Sequence, residues 1–278
     1  MDLCIIIAYY DPGNHPDCLA SFLKTLQIIS EQKEEFNIEV IVADDGSLTN
    51  SMIPSLNCEK INQHDRIIFD INGNELNRFL NKKDIKSHEI THWLYLPKDK
   101  QCMSKARIWN AASKLAKSDN LFFLDDDNYF TSNKSIEKII KLLRKYSVVF
   151  GQIQDSNGRY RRYESKRVQG TTFGIKRKLL DEIGGFGEWT EEISCGIDSD
   201  LWYKLFEHYQ NDKFKACFTN SIQTIDSCSK RWKPFIGTYF SNRKSVKYFN
   251  IEHGCNNFKN PKYNPSRLKY LWIENLTE

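Results

Sequence analysis

The segment that most constrains this chain is Leu121-Phe122-Phe123-Leu124-Asp125-Asp126-Asp127-Asn128. Four apolar residues are too few for a helix and read as a buried strand, with three carboxylates placed where such a strand emerges. Adjacent like charges repel, and holding three of them in partly dry protein calls for a positive partner. A hard divalent cation, which prefers oxygen ligands, is one such partner. An acidic turn or a helix N-cap is the structural alternative, because Asp suits both. The pattern also occurs earlier: residues 38–43, Ile-Glu-Val-Ile-Val-Ala, read as a buried strand and run directly into Asp44-Asp45-Gly46-Ser47.

The elements around these two strands alternate. Residues 3–10 form a β-rich apolar run that Asp11-Pro12-Gly13 breaks, and residues 17–33 then place Leu19, Phe22, Leu23, Leu26 and Ile29 at helical spacing. Strand, helix, strand with carboxylates at the strand's C-terminal end is a βαβ unit, and open α/β sheets bind ligands at that edge. Residues 66–69 suggest a short strand, but 48–90 otherwise carries no clear pattern, and the stretch through Lys82-Lys83-Asp84 reads as a polar insertion. Residues 93–96 are a strand, and Ser104 opens a helix containing Ala106, Trp109, Ala112, Leu115 and Ala116.

Beyond the acidic triplet, residues 132–146 form a helix with an apolar stripe of Ile136, Ile139, Ile140, Leu142 and Leu143. Residues 148–150 and 160–163 read as strands, and 176–183 as a short helix leading to Gly184-Gly185-Phe186-Gly187-Glu188-Trp189. Gly196-Ile197-Asp198-Ser199-Asp200-Leu201 opens another helix, with Asp198 near the N-terminus, where the helix dipole favours a carboxylate. Residues 214–218 suggest a strand, 230–233 a basic loop, and 266–276 a terminal amphipathic helix docked on the body. There is no glycine-rich loop of the Rossmann or P-loop spacing.

With 278 residues, 40% hydrophobic and 27% charged, the chain can bury a substantial core and is not of disordered composition. Its net charge of +4 conceals an asymmetry: residues 1–129 carry 14 Lys/Arg against 20 Asp/Glu, and residues 130–278 carry 26 against 16. An acidic half that could hold a cation is joined to a basic half that could meet phosphate, an acidic acceptor or an anionic membrane surface. The eight cysteines include no C-x-x-C pair, which argues against a zinc ribbon or a thioredoxin-type site. No secretory segment precedes the first strand, so reduced thiols and a cytoplasmic location are expected. No apolar run approaches the roughly 18 residues of a membrane span, so any membrane contact would be peripheral.

In this order and spacing the motifs resemble family 2 glycosyltransferases of the GT-A fold, which transfer a sugar from a nucleotide-sugar with inversion at the anomeric carbon. The resemblance covers roughly residues 3–208. It rests on the N-terminal strand, Asp44-Asp45-Gly46-Ser47, Arg107 and Asn110 on the helix before Asp125-Asp126-Asp127, Gly184-Gly185-Phe186, and Asp198-Ser199-Asp200-Leu201. It implies an α/β fold: one GT-A domain with a Rossmann-like, mostly parallel sheet flanked by helices, residues 1–127 binding the nucleotide-sugar and 128–230 the acceptor. Residues 231–278 would form a lid and helical extension on the same domain. Asp45 would meet the base, usually uracil, with Asp44 shaping the pocket, Ala8 and Tyr9 touching the nucleoside and Arg107 reaching phosphate. Asp125 and Asp127 would hold Mn²⁺ or Mg²⁺, with Asp126 near the ribose or donor sugar. Asp198 would be the general base, Trp189 would line the acceptor site, and Asp200 would either line it too or be a structural neighbour paired with a basic residue. The late histidine that many relatives place on the metal is missing from residues 222–226, which leaves water, Asp226 or His253 to complete the coordination.

The chemistry asks for these types in its own right. Charge builds on the diphosphate oxygen as the glycosidic bond breaks, and a cation held by one or two carboxylates stabilises it. On the opposite face of the sugar, one positioned carboxylate takes the acceptor's proton, contributing typically about 10²–10⁴-fold. The expectation is therefore a metal-dependent inverting glycosyltransferase using a UDP-sugar and a carbohydrate or glycoconjugate acceptor, not nucleic acid, in surface polysaccharide or glycoconjugate synthesis. A nucleotidyltransferase that forms NDP-sugars would share the carboxylates and the metal but need an N-terminal phosphate loop, which is absent after Ile7. A silent glycan-binding protein on the same fold would not need every acidic position.

Overall fold

The computed structural model of the chain describes residues 1–13, 17–32, 35–86, 89–98, 102–161, 170–211, 214–227, 238–254 and 273–277. The first half runs β1 (Leu3–Tyr9), α1 (Asp17–Glu31), β2 (Ile38–Asp44), β3 (Glu59–Gln63), β4 (Arg66–Asn72), α2 (Gly73–Lys82), β5 (Ile90–Tyr95), α3 (Lys105–Leu115) and β6 (Asn120–Asp125). The second half runs β7 (Asn128–Phe130), α4 (Ser135–Lys145), β8 (Val148–Asp155), β9 (Phe173–Lys176), α5 (Arg177–Glu182), α6 (Ile197–Asn211), β10 (Ala216–Asp226), α7 (Thr238–His253) and β11 (Ile273–Asn275).

Among the described residues the strands form one sheet in the order β11-β10-β8-β9-β6-β1-β2-β5-β4-β3, with β7 paired to β10. The four central strands β5, β2, β1 and β6 are parallel, β8, β10 and β11 are parallel to one another, and β4, β7 and β9 run against their neighbours. This is the mostly parallel, helix-flanked sheet expected from the sequence. Side chains alternate across it. Cys4 and Ile6 enter a core with Trp109 of α3, Leu180 of α5 and Leu205 of α6, whereas Leu3, Ile5 and Ile7 enter another with Phe22 of α1, Phe79 of α2 and Ile139 of α4. Burial on both faces is why these strands read as unbroken apolar runs.

Three regions depart from the expected elements. The strand expected at 66–69 is β4, but it pairs with an unexpected β3, and the stretch read as a polar insertion holds α2, whose only buried side chains are Leu76, Phe79 and Leu80. Three apolar positions in a ten-residue helix, and an edge strand reading Glu-Lys-Ile-Asn-Gln, give almost no periodicity. Of the strand expected at 160–163, Tyr160 makes a single bridge to Gln154, and residues 162–169 lie outside the described residues. At the C-terminus, residues 273–275 are a strand rather than the end of a helix, because they complete the sheet beside Ala216, Cys217 and Phe218. Residues 255–272 and the basic loop at 230–233 lie outside the described residues. No helix among the described residues is long and apolar enough to cross a membrane.

Candidate functional site

Parallel strands deliver their C-terminal ends to one edge, and here that edge is acidic. Ala8 of β1 stands in register with Asp125 of β6, and Tyr9 with Asp44 of β2. The two acidic motifs therefore flank the end of one strand.

Asp44 is fully buried, and its oxygens accept hydrogen bonds from the Ser47 amide (2.8 Å), Asn50 Nδ2 (2.6 Å) and Trp93 Nε1 (3.2 Å). Burial raises its carboxyl pKa against the pull of those donors. It fastens the turn after β2 and presents nothing to a ligand. Asp45 differs. One oxygen accepts from Lys98 Nζ and from the Ser104 amide, both at 3.0 Å, while buried Oδ1 has no partner among the described residues. Burial pushes its pKa up to about 6, against the opposing charge of Lys98. Gly46 makes this packing possible: its φ is +73°, and a Cβ there would stand 2.9 Å from the Leu96 carbonyl and the Lys98 amide. Lys98 also donates to the Cys102 carbonyl at 2.5 Å and lies 4.6 Å from the centroid of the Tyr10 ring.

The acidic triplet spreads in three directions. Asp125 is ion-paired with Lys105 of α3, whose ammonium also donates to the Gly170 carbonyl (3.0 Å) and sits 4.1 Å from the centroid of Trp109. Asp126 is buried and accepts from the Tyr10 amide at 3.0 Å, so it fixes the end of β1 rather than reaching a ribose. Asp127 accepts from Asn128 Nδ2 at 2.8 Å, and its carbonyl takes the Ser227 amide at 2.9 Å. Among the described residues, no three His, Cys, Asp or Glu side chains converge into a metal-holding group. Asp226, offered as a further ligand, is instead ion-paired with Arg161, which also donates to Asp155 at 2.8 Å.

Across the cleft, Asp198 occupies the first turn of α6 and accepts from the Ser199 amide at 3.0 Å. Gly170 joins it to the triplet. A Cβ on Gly170 would lie 3.6 Å from the Asp198 Cβ, and the Gly170 carbonyl is the acceptor for Lys105, the partner of Asp125. Asp200 is fully buried, with acceptors taken by Trp189 Nε1 (2.9 Å), His253 Nε2 (3.0 Å), the Gly187 amide (2.7 Å) and Lys204 Nζ (3.1 Å). Burial alone would raise its carboxyl pKa, but the His253 hydrogen bond and the Lys204 charge outweigh it and hold the group below the usual carboxylate range. Asp200 thus orients Trp189 instead of meeting an acceptor. Gly187 has no room for a side chain, since a Cβ would fall 2.5 Å from Asp200 Oδ1.

The structure therefore brings Asp45, Asp125, Asp127 and Asp198 to one edge and withdraws others. The Tyr9 ring is buried against Phe22 and Trp93, and it is Tyr10, just past the end of β1, whose ring lies beside Lys98, the partner of Asp45. Ala8 contributes its carbonyl to the Asp126 amide at 2.9 Å. Arg107 is spent on a two-pronged pair with Glu191 (2.9 and 3.0 Å) and on the Gln63 carbonyl, which ties the β3–β4 hairpin to the Trp189 segment and keeps the guanidinium from phosphate. His253 is packed against Tyr203 and Phe249 beside Asp200, away from the triplet. Lys98 and Lys105 have no motif of their own; the signal for them was the uncompensated acid, which required cations from somewhere.

Residues 91–190 match the family described as Glycosyl transferase family 2. No curated protein sequence matches the chain. Among solved structures, the chain is similar to the mannosyltransferase PcManGT of Pyrobaculum calidifontis in complex with GDP-Man and Mn²⁺, at 15% identity over 90% of this chain and 64% of that one, with a TM-score of 0.54. It is also similar to S. aureus TarS 1-349 in complex with UDP-GlcNAc, at 15% identity over 90% of this chain and 67% of that one, with a TM-score of 0.51. The chain spans 58% of TarS 1-349 in another crystal structure and 46% of the longer TarS chain. The resemblance drawn from the motifs is met twice, by the family match over the segment that carries the triplet and by the GT-A fold.

Proposed function

We propose that this chain is an inverting, metal-dependent glycosyltransferase that moves a sugar from a UDP-sugar to a hydroxyl of a carbohydrate or glycoconjugate acceptor in surface polysaccharide synthesis. The observation that carries the reading is the Gly170 joint. A Cβ on Gly170 would lie 3.6 Å from the Asp198 Cβ, and the Gly170 carbonyl accepts from Lys105, the partner of Asp125, which supports a general base close to a diphosphate-binding end. The family match and the nucleotide-sugars bound by the two similar proteins support a nucleotide-sugar donor.

At the base end, Asp45 Oδ1 is a single buried acceptor with the Lys98 ammonium beside it. Uracil complements that pair, because its N–H lies between two carbonyl oxygens. Tyr10 offers a ring beside the pocket, and Asp126 holds the Tyr10 backbone in place. At the acceptor end, Asp198 accepts the proton of the attacking hydroxyl, and Trp189, braced by Asp200, presents an aromatic face for a sugar. With attack and departure on opposite faces, one displacement inverts the anomeric centre.

Asp125 and Asp127 are hard oxygen donors and would hold Mn²⁺ or Mg²⁺, which are bound by one or two carboxylates in nucleotide sites. When bound, the cation supplies charge neutralisation for the departing diphosphate. Incubating the protein with a panel of UDP-sugars and glycan acceptors, and detecting the glycosylated product by mass spectrometry, tests the reading. Absence of product and of UDP release from every donor that binds would overturn it in favour of a silent binding protein.

A further inference from the structure

We infer that Lys105 couples metal and nucleotide binding: its ammonium holds Asp125 until a divalent cation and a diphosphate arrive together. This rests on the metal reading given above. The Lys105 side chain is only 11% exposed, more enclosed than its partner Asp125 at 29%. Its ammonium lies 4.1 Å from the ring centroid of Trp109, which is fully buried in the core, and has Asp125 and the Gly170 carbonyl as partners.

A cation that binds Asp125 alone strips Lys105 of its carboxylate partner among the described residues and leaves two positive charges side by side in partly dry protein. The penalty weakens metal binding by itself. A diphosphate removes the penalty, because it offers the displaced ammonium a new anionic partner while ligating the cation. Linkage makes the effect reciprocal: nucleotide raises metal affinity by the factor by which metal raises nucleotide affinity. Lys105 acts here through Asp125 as a positioning residue, and the device keeps the site from holding metal unproductively.

The test is Mn²⁺ binding followed by the EPR signal of free Mn²⁺, with and without UDP, on wild type, Lys105→Met and Lys105→Arg. Met keeps an unbranched apolar side chain of similar length and removes the charge. The expected result is that Lys105→Met binds Mn²⁺ alone about tenfold more tightly than wild type, inside the roughly 5–150-fold range of coupling factors, while the enhancement by UDP shrinks. Lys105→Arg should behave as wild type, and Asp125→Asn added to Lys105→Met should abolish the gain. A purely structural defect does not raise metal affinity. Unchanged or weaker Mn²⁺ binding by Lys105→Met overturns the inference, as does tight Mn²⁺ binding by wild type that UDP does not enhance; both leave the metal reading standing. Wild type that binds UDP and takes up no Mn²⁺ removes the metal reading and this inference with it.

Discussion

Asp45→Asn separates the cost of the pocket from its use. Holding a buried carboxyl at about 6 instead of near 4 costs the ionised form about 3 kcal/mol at neutral pH, at about 1.4 kcal/mol per pH unit. The sign follows from a raised pKa: the cost is full above pH about 6 and gone below pH about 4. Asn removes the charge and keeps an oxygen for Lys98 and the Ser104 amide. Its amide nitrogen then falls where Oδ1 stands and goes unpaired, which returns roughly 1–3 kcal/mol of the gain. The net expectation in urea unfolding of the ligand-free protein at pH 7.5 is a stability unchanged or raised by up to about 2 kcal/mol. UDP affinity moves the other way. A lost hydrogen bond to an ionised acceptor is worth about 1.5–3 kcal/mol, so the Kd from calorimetry should rise roughly 10- to 150-fold. For wild type the same affinity should fall as pH drops from 7.5 to 5, because a protonated Asp45 keeps only a neutral carbonyl acceptor and loses the charge that strengthens the bond. A variant destabilised by more than about 2 kcal/mol that binds UDP as wild type does would refute the reasoning, since Asp45 would then be a structural group.

Gly46→Ala should lose at least about 2 kcal/mol in the same unfolding assay, because its φ of +73° and the 2.9 Å approach to the Leu96 and Lys98 backbone leave a side chain nowhere to go; a loss below about 0.5 kcal/mol would show that the turn yields. Arg107→Ala should cost about 1–3 kcal/mol, since the Gln63 carbonyl loses its donor and Glu191 loses a two-pronged partner but keeps Arg66 at 3.8 Å. UDP affinity of the folded Arg107→Ala protein should stay within about threefold of wild type, and a large loss would return Arg107 to the phosphate.

How far the molecule could be read from its sequence depends on burial. Strands covered on both faces, such as residues 3–9 and 120–125, announce themselves as unbroken apolar runs, and the acidic residues that end them mark the working edge. Of the β3–β4 hairpin only β4 left a trace, and β3 and α2 were illegible because a half-exposed edge strand and a short helix with three buried residues carry little pattern. Within the site, spacing located the carboxylates but not their partners. Arg107 and Asp200 lie in the right motifs, yet Glu191 lies 84 residues from Arg107 and His253 lies 53 from Asp200, and no local pattern encodes such pairs. Lys105 and Gly170, which join the two ends of the cleft, are 65 residues apart and escaped notice for the same reason.

Asp198→Asn tests the central claim most directly. Wild type and variant are given a competent UDP-sugar with Mn²⁺, UDP release is timed, and the anomeric configuration of the product is read by NMR. The account predicts a product inverted relative to the donor, and a variant that binds UDP as wild type does but turns over about 10²–10⁴-fold more slowly. A product of retained configuration, or a variant that turns over at the wild-type rate, would contradict it.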